Sequence, residues 1–261
     1  AEPHEELGEV SMRAVGVIPS RWGSTRFPGK SLALIGGKPL LAWVVERVRQ
    51  ATRLDEILVA TDDERIAAAA RSFGAAVAMT RADHPSGTDR IAEAIRRISA
   101  DVAVNIQGDE PLIDPALIDR VAGALLDAGG WDMATAASPI GEAAELHNPD
   151  VVKVVRAADG RALYFSRSVI PYVRGAPAGF APVEGQHLRH VGIYGYRRAF
   201  LERLVNEPPC ALENLEKLEQ LRALSIGGRM VVLDCAAAGI GVDSPGDVPK
   251  AEALLRAAGM L

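Results

Sequence analysis

Residues 13–30 read RAVGVIPSRWGSTRFPGK, an apolar run that breaks at Pro19 into a loop of Gly, Ser, Pro and basic residues. An apolar run this short, ended by turn-forming residues, predicts a strand buried on both faces, and such strands belong to parallel sheets. Working outward, EILVAT (56–61), AVAMT (76–80) and DVAVNI (101–106) repeat the pattern. Between them lie helical stretches: one near Pro39–Ala51, the Ala-rich DDERIAAAARSFG (62–74) stopped by Gly74, and Thr88–Ile98. Strands alternating with helices of this length predict crossover units and an α/β layer fold.

The second half changes character. Val151–Arg156 and Arg161–Phe165 flank Ala-Asp-Gly and predict a hairpin. LRHVGIYGY (188–196) predicts a strand with His190, Gly192, Tyr194 and Tyr196 on one face and Val191 and Ile193 on the other. Leu212–Leu224 predicts one amphipathic helix, and Met230–Asp234 a last strand before GIGVDSPGD and a C-terminal helix. The expected organisation is a single domain over 13–261 with a lid-like β insertion at about 150–210. Residues 1–12 have no apolar periodicity and read as a flexible N-terminal extension, with Met12 the expected natural start.

Composition narrows the function. The chain has 261 residues, 29 basic and 34 acidic side chains, a formal charge of −5 and 48% hydrophobic residues. That balance fits a globular protein with an adequate core and argues against a general nucleic-acid binder, which carries a basic footprint. Two cysteines, Cys210 and Cys235, exclude a disulfide framework and a four-cysteine zinc site. No apolar run is long enough to span a bilayer. The expectation is a cytoplasmic protein acting on a small molecule, without membrane insertion.

In open parallel sheets, ligands bind beyond the carboxyl ends of the strands. The loop after the first strand is cationic: from Arg13 to Val45 there are five basic residues, Arg13, Arg21, Arg26, Lys30 and Lys38, and no Asp or Glu. Backbone N–H groups of a glycine-containing loop, joined by Arg and Lys, suit a polyphosphate. A P-loop is excluded because five residues, not four, separate Gly23 from Gly29-Lys30-Ser31. A dinucleotide dehydrogenase is disfavoured because no Gly-x-Gly-x-x-Gly follows the strand. Asp109, in NIQGDEP (105–111), ends an apolar strand, and Asp243, in GVDSP (241–245), ends another apolar segment. Each has a structural reading as a turn or helix-cap aspartate; as a pair beside a cationic loop they predict metal-assisted phosphoryl chemistry. The stretch from Arg161 to Arg198 holds six arginines and two histidines against one acid, Glu184, and suits either an anionic hydroxylated substrate or an ordinary surface.

Eight motifs occur in order: IPSRWGSTRFPGK, ATDD, TRADHPSGTDR, NIQGDEP, YFSR…IP, LRHVGIYGY, LEQLR and GVDSP. Together, over residues 13–258, they resemble the 3-deoxy-manno-octulosonate (Kdo) cytidylyltransferases. The resemblance implies a Rossmann-like nucleotidyltransferase fold with a mixed, mainly parallel sheet and helices on both faces. It implies a homodimer that couples CTP to Kdo, giving CMP-Kdo and pyrophosphate for lipopolysaccharide assembly, with Mg²⁺ as cofactor. Carried over motif by motif, Ser20, Arg21, Ser24, Arg26 and Lys30 would bind the triphosphate, and Arg81, Ser86 and Gly87 would flank cytosine and ribose. Gln107, Arg167, His190, Tyr194, Glu219 and Gln220 would line the Kdo pocket, with Gln107 also reaching the nucleotide. Asp109 and Asp243 would ligate Mg²⁺ and act with Arg21 and Lys30 in catalysis. The alternatives are a cytidylyltransferase for another sugar acid, of 8-amino-Kdo or sialic acid type, and a non-catalytic nucleotide-binding regulator.

Overall fold

The computed structural model describes residues 12–24, 26–127, 129–236 and 239–261. Of the expected N-terminal extension only Met12 lies among them. In chain order the elements are β1 (Ala14–Ser20), β2 (Leu34–Ile35), β3 (Lys38–Pro39), α1 (Leu40–Val48), β4 (Glu56–Thr61), α2 (Glu64–Ser72) and β5 (Ala76–Met79). Next come α3 (Gly87–Ala94), β6 (Val102–Asn105), α4 (Pro115–Leu126), β7 (Met133–Pro139), α5 (Ala143–His147), β8 (Lys153–Arg156) and β9 (Ala162–Ser166). The chain closes with β10 (Leu188–Arg197), α6 (Arg198–Asn206), α7 (Ala211–Glu216), α8 (Gln220–Ser225), β11 (Met230–Asp234) and α9 (Val248–Ala257).

The main sheet runs β11-β7-β10-β6-β1-β4-β5. Pairings β1–β4, β1–β6, β4–β5 and β7–β11 are parallel, while β10 is antiparallel to both β6 and β7. The apolar runs are explained by burial on both faces. In β1, Ala14 and Ile18 join the core under α1, α2 and α4, whereas Val15 and Val17 join the core under α3, α6 and α8. The chain leaves β1 toward β4 and β5, then returns to β6 on the other side of β1. That reversal makes a topological switch point between the loops after β1 and β6, where a crevice must open.

Two expectations are corrected. Leu188–Arg197, expected within the insertion, is a central strand between β6 and β7. It can be central because Gly195 carries no Cβ; one there would lie 2.8 Å from Leu125 and 2.9 Å from Val121 of α4. Only the β8–β9 hairpin branches from the sheet, through the β8–β10 pairing. The single helix expected at Leu212–Leu224 is two helices, because Lys217 adopts a left-handed φ of 55° that ends α7.

A third core packs Ile35, Leu40 and Trp43 against Val242, Ala251 and Leu255. Helix α9 thereby holds the segment before it against the strand-end loops. The Val242 N–H donates to the Asp109 carbonyl at 2.9 Å, which seats Asp243 beside Asp109.

Candidate active site

The loop after β1 is curled by its own backbone. The Trp22 carbonyl accepts from the N–H groups of Ser24 (2.9 Å) and Gly29 (3.0 Å). Gly29 is required here: its φ is 68°, and a Cβ would lie 2.9 Å from the Trp22 ring. The other face of that ring carries the Arg65 guanidinium, 3.3 Å from the ring centroid, which pins the loop to α2. The Ser20 and Ser31 hydroxyls, 2.5 Å apart, close the base of the loop.

So held, Lys30 reaches across the crevice. Its Nζ donates to Asp109 Oδ2 at 2.5 Å and to Asp243 Oδ1 at 3.2 Å, and Arg26 Nη2 lies 3.1 Å from the same Asp243 oxygen. The helix-cap reading of Asp243 does not hold: Ser244 and Asp247 make the capping box, and the Asp243 carboxylate faces the cations. Neighbouring Glu110 has its carboxyl pushed up to about 7 by burial and by the Asp109 charge, with Arg189 pulling the other way.

These residues line a cleft of about 290 Å³ together with Pro19, Ser20, Arg21, Ser24, Ser86, Gly87, Gln107 and Gly108. His84, Pro85 and Arg90 also line it and were not expected. Arg90 is buried, with Nη1 on Thr80 Oγ1 at 2.5 Å and Nη2 on Asp62 at 3.3 Å. Ser86 caps α3: its hydroxyl donates to Asp89 Oδ2 at 2.7 Å and accepts from the Asp89 N–H at 3.3 Å. Arg81, expected beside the base, lies outside the cleft lining because Asp83, two residues on, captures its guanidinium at 2.9 Å. The Arg81 N–H donates to Glu93 at 3.0 Å, and the same Glu93 oxygen meets His84 Nε2. Burial raises the Glu93 carboxyl, but these two bonds and the nearby positive charge outweigh it, so the group stays below its usual range.

The expected sugar-pocket residues divide. Tyr194, Glu219 and Gln220 meet Met133, Tyr196 and Leu204 around a small cavity of about 30 Å³. Gln107 bridges toward them, its Nε2 donating to the Gly192 carbonyl at 2.8 Å. Gly192 sits in an irregularity of β10, where the register against β7 shifts between Val191 and Tyr194. Thr135 Oγ1 lies 2.8 Å from the Ile193 carbonyl and 3.0 Å from His190 Nε2, so its single proton goes to Ile193 and His190 donates to it. The His190 ring also packs edge-on to Phe165, at 5.1 Å, and tilts over Tyr194, at 5.3 Å. Burial lowers its pKa to about 3, so the imidazole is neutral at physiological pH. Burial, with the Tyr196 and Glu219 charges, raises Tyr194 well above its ordinary value, so its phenol stays protonated.

Arg167 does not join that cavity lining. Its Nε donates to the Glu216 carbonyl at 2.8 Å and its Nη1 to the Pro149 carbonyl at 3.1 Å. Glu216 reciprocates by accepting from Ser166 Oγ (2.6 Å) and the Arg167 N–H (2.9 Å). The break at Lys217 then starts α8 in a new direction, and Arg222 anchors it through paired 2.9 Å bonds to Glu213. No glycine marks this break, so nothing in the sequence pattern reveals it.

A larger hollow of about 790 Å³ opens beside β11 and the β8–β9 turn. Its charges are already engaged: Arg156 pairs with Asp234 at 2.6 Å, and Arg120 donates to the Asp234 carbonyl at 2.6 Å. The smaller cleft is therefore the chemical one, because only there do cations and carboxylates converge at the switch point.

A mixed, mainly parallel sheet with a cation-rich cleft at its switch point defines a nucleotide-binding α/β protein of the nucleotidyltransferase class. Sequence and structure comparison narrows this further. The chain belongs to the cytidylyltransferase family, whose sequence model matches residues 15–231. It is 47% identical over 249 residues to a protein of Bdellovibrio bacteriovorus named 3-deoxy-manno-octulosonate cytidylyltransferase, covering 95% of this chain and 100% of that one. A Geobacter sulfurreducens protein of the same name is 48% identical over 244 residues, covering 92% and 98%. A solved CMP:2-keto-3-deoxy-manno-octonic acid synthetase in complex with CTP superposes with a TM-score of 0.88 at 43% identity, covering 94% of this chain and 99% of that one. A 4-diphosphocytidyl-2C-methyl-D-erythritol synthase from Anaerococcus prevotii, at 14% identity and a TM-score of 0.61, shares the fold.

Proposed function

We propose that this chain transfers the cytidylyl group of CTP to the anomeric hydroxyl of Kdo, releasing pyrophosphate and giving CMP-Kdo for lipopolysaccharide synthesis. The observation that carries this reading is identity of 47–48% over more than nine-tenths of the chain with proteins named for that reaction.

The chemistry needs two anionic reactants brought into line. The Kdo hydroxyl attacks the α-phosphorus, the bond from that phosphorus to the bridging oxygen of the β-phosphate breaks, and the hydroxyl proton leaves to solvent. Arg21, Arg26 and Lys30 neutralise the triphosphate from one wall of the cleft. Gln107 joins the cleft to the cavity formed by Tyr194, Glu219 and Gln220, where the sugar acid binds. His190 is not the base in this scheme: it is neutral and donates its Nε2 proton to Thr135, so it positions the pocket wall.

Mg²⁺ belongs to the same reading, held by Asp109 and Asp243. The fit rests on the donor set, two carboxylates that already converge on one cation, the Lys30 ammonium. Among the described residues no group of three or more His, Cys, Asp or Glu is placed to hold a metal. The remaining ligands would therefore be phosphate oxygens and water, the usual arrangement for this ion. When bound, Mg²⁺ supplies charge neutralisation at the phosphate oxygens.

A cytoplasmic homodimer completes the proposal. Leu163, Tyr172 and Val183 expose apolar surface on the segment after β8, as a partner surface requires. No helix among the described residues is long and apolar enough to cross a membrane. The test is pyrophosphate release from CTP and Mg²⁺ with and without Kdo. Kdo-dependent release is expected, and a folded protein that binds CTP but releases nothing would sink the assignment.

A further inference from the structure

The nucleotide cleft is chemically lopsided. Arg21, Arg26, Lys30, Asp109 and Asp243 supply its charge, while the 84–87 loop lines it with an imidazole, a proline ring, a hydroxyl and a glycine. Phosphates seek the first group, so a flat neutral base is left to the second. This placement rests on the nucleotide reading given above.

Within that loop the polar side chains are nearly all engaged. The Ser86 hydroxyl both donates to and accepts from Asp89. Arg81 is held by Asp83 and does not line the cleft. Pro85 has no N–H. His84 is the exception: it lines the cleft, its Nε2 meets the Glu93 carboxylate, and its Nδ1 has no hydrogen-bond partner among the described residues. An ionised carboxylate only accepts, so Nε2 carries the proton and the neutral ring presents Nδ1 as a bare acceptor.

We infer that His84 selects cytosine over uracil by accepting from the N4 amino group, with Glu93 the positioning residue that fixes the tautomer. Cytosine offers a donor at its 4-position and uracil offers an acceptor there. A lone acceptor opposite that position bonds the first and repels the second. Glu93 sits on α3, and its second bond, to the Arg81 N–H, ties both ends of the 81–84 turn to that rigid helix. The reader is thus pre-set before the nucleotide arrives, at no ordering cost on binding.

The experiment is equilibrium binding of CTP and of UTP, by calorimetry in Mg²⁺ without sugar, to the wild-type protein, His84→Phe and Glu93→Gln. The wild-type protein is expected to favour CTP by at least about thirtyfold, within the range for a site built on one hydrogen bond. His84→Phe keeps a ring but no acceptor; CTP affinity should fall about tenfold or more while UTP affinity changes less than about threefold. Glu93→Gln, whose amide can face the ring with either its oxygen or its nitrogen, should narrow the preference several-fold. Thermal unfolding reports whether each variant is folded, and if His84→Phe is not, Glu93→Gln decides. Equal losses for both nucleotides, or a wild-type protein without preference, would overturn the inference. Failure of Kdo-dependent turnover alongside an intact CTP preference would overturn the proposed reaction instead and leave this reading standing.

Discussion

Replacing Lys30 with Met keeps most of its aliphatic stem and removes only the charge that joins Asp109 to Asp243. Two unit charges about 3 Å apart attract by roughly 5 kcal/mol at an effective dielectric of about 20. Exposure reduces this: the side chains of Lys30 and Asp109 are 19% and 22% exposed, but that of Asp243 is 46%. A cluster between surface and interior therefore contributes about 2 kcal/mol, since exposed pairs yield under about 1 and buried ones about 3–5. In a chain of 261 residues that corresponds to a Tm lower by about 4–8 °C in chelator. Millimolar Mg²⁺ should return more than half of the loss in Lys30→Met and shift the wild-type protein less, because in the latter the ammonium already occupies the carboxylates. The assay is thermal unfolding with and without Mg²⁺, beside pyrophosphate release, where kcat should fall by about 10²–10³. Equal Mg²⁺ shifts in both proteins would refute the idea that ion and ammonium share one pair of carboxylates. An unchanged Tm in chelator would refute the electrostatic coupling itself.

Other outcomes follow from separate parts of the molecule. Gly195→Ala would push a methyl group into Val121 and Leu125 and should cost about 1–3 kcal/mol, read as a lower midpoint in urea at unchanged m. His190 binds its proton less readily folded than unfolded, so the unfolded chain takes up more protons between about pH 3, the folded value, and the model value of 6.5. Stability should therefore fall as pH drops through that window, by about 1 kcal/mol per unit at most because the ring keeps some exposure. His190→Gln should flatten that acid limb, and an unchanged limb would show that the ring is solvated. Glu216→Ala removes the acceptor shared by Ser166 and Arg167 and should cost about 1–3 kcal/mol. Its effect on turnover should appear as a higher KM for Kdo, not a lower kcat; the reverse split would place Glu216 in the chemistry.

The strands were legible because burial on both faces leaves little choice of residue, as Val15, Val17 and Ile18 show. The cationic loop was legible because Arg21, Arg26 and Lys30 have no acidic neighbour in sequence. What stayed hidden depends on contacts over long separations or on backbone geometry. The approach of Asp243 to Asp109 is made by one backbone bond from Val242 and by the packing of α9, neither of which has a local pattern. Glu219 and Gln220 read as the exposed face of one helix until the left-handed Lys217 splits it. Arg81 failed in the opposite sense, since a partner two residues away outcompeted the distant cleft. The centrality of β10 was masked because its polar residues face neighbouring side chains such as Thr135 instead of water.

The attachment of Asp243 to α9 sets an order of events during synthesis. Every sheet strand precedes this residue, so the sheet can assemble while the second carboxylate is still within the ribosome. Only when Ala251 and Leu255 have emerged and closed over Ile35 and Trp43 does Val242 dock on the Asp109 carbonyl. Nascent chains stalled before that helix would carry the cationic loop and one aspartate, enough to hold a nucleotide loosely and not enough to turn it over.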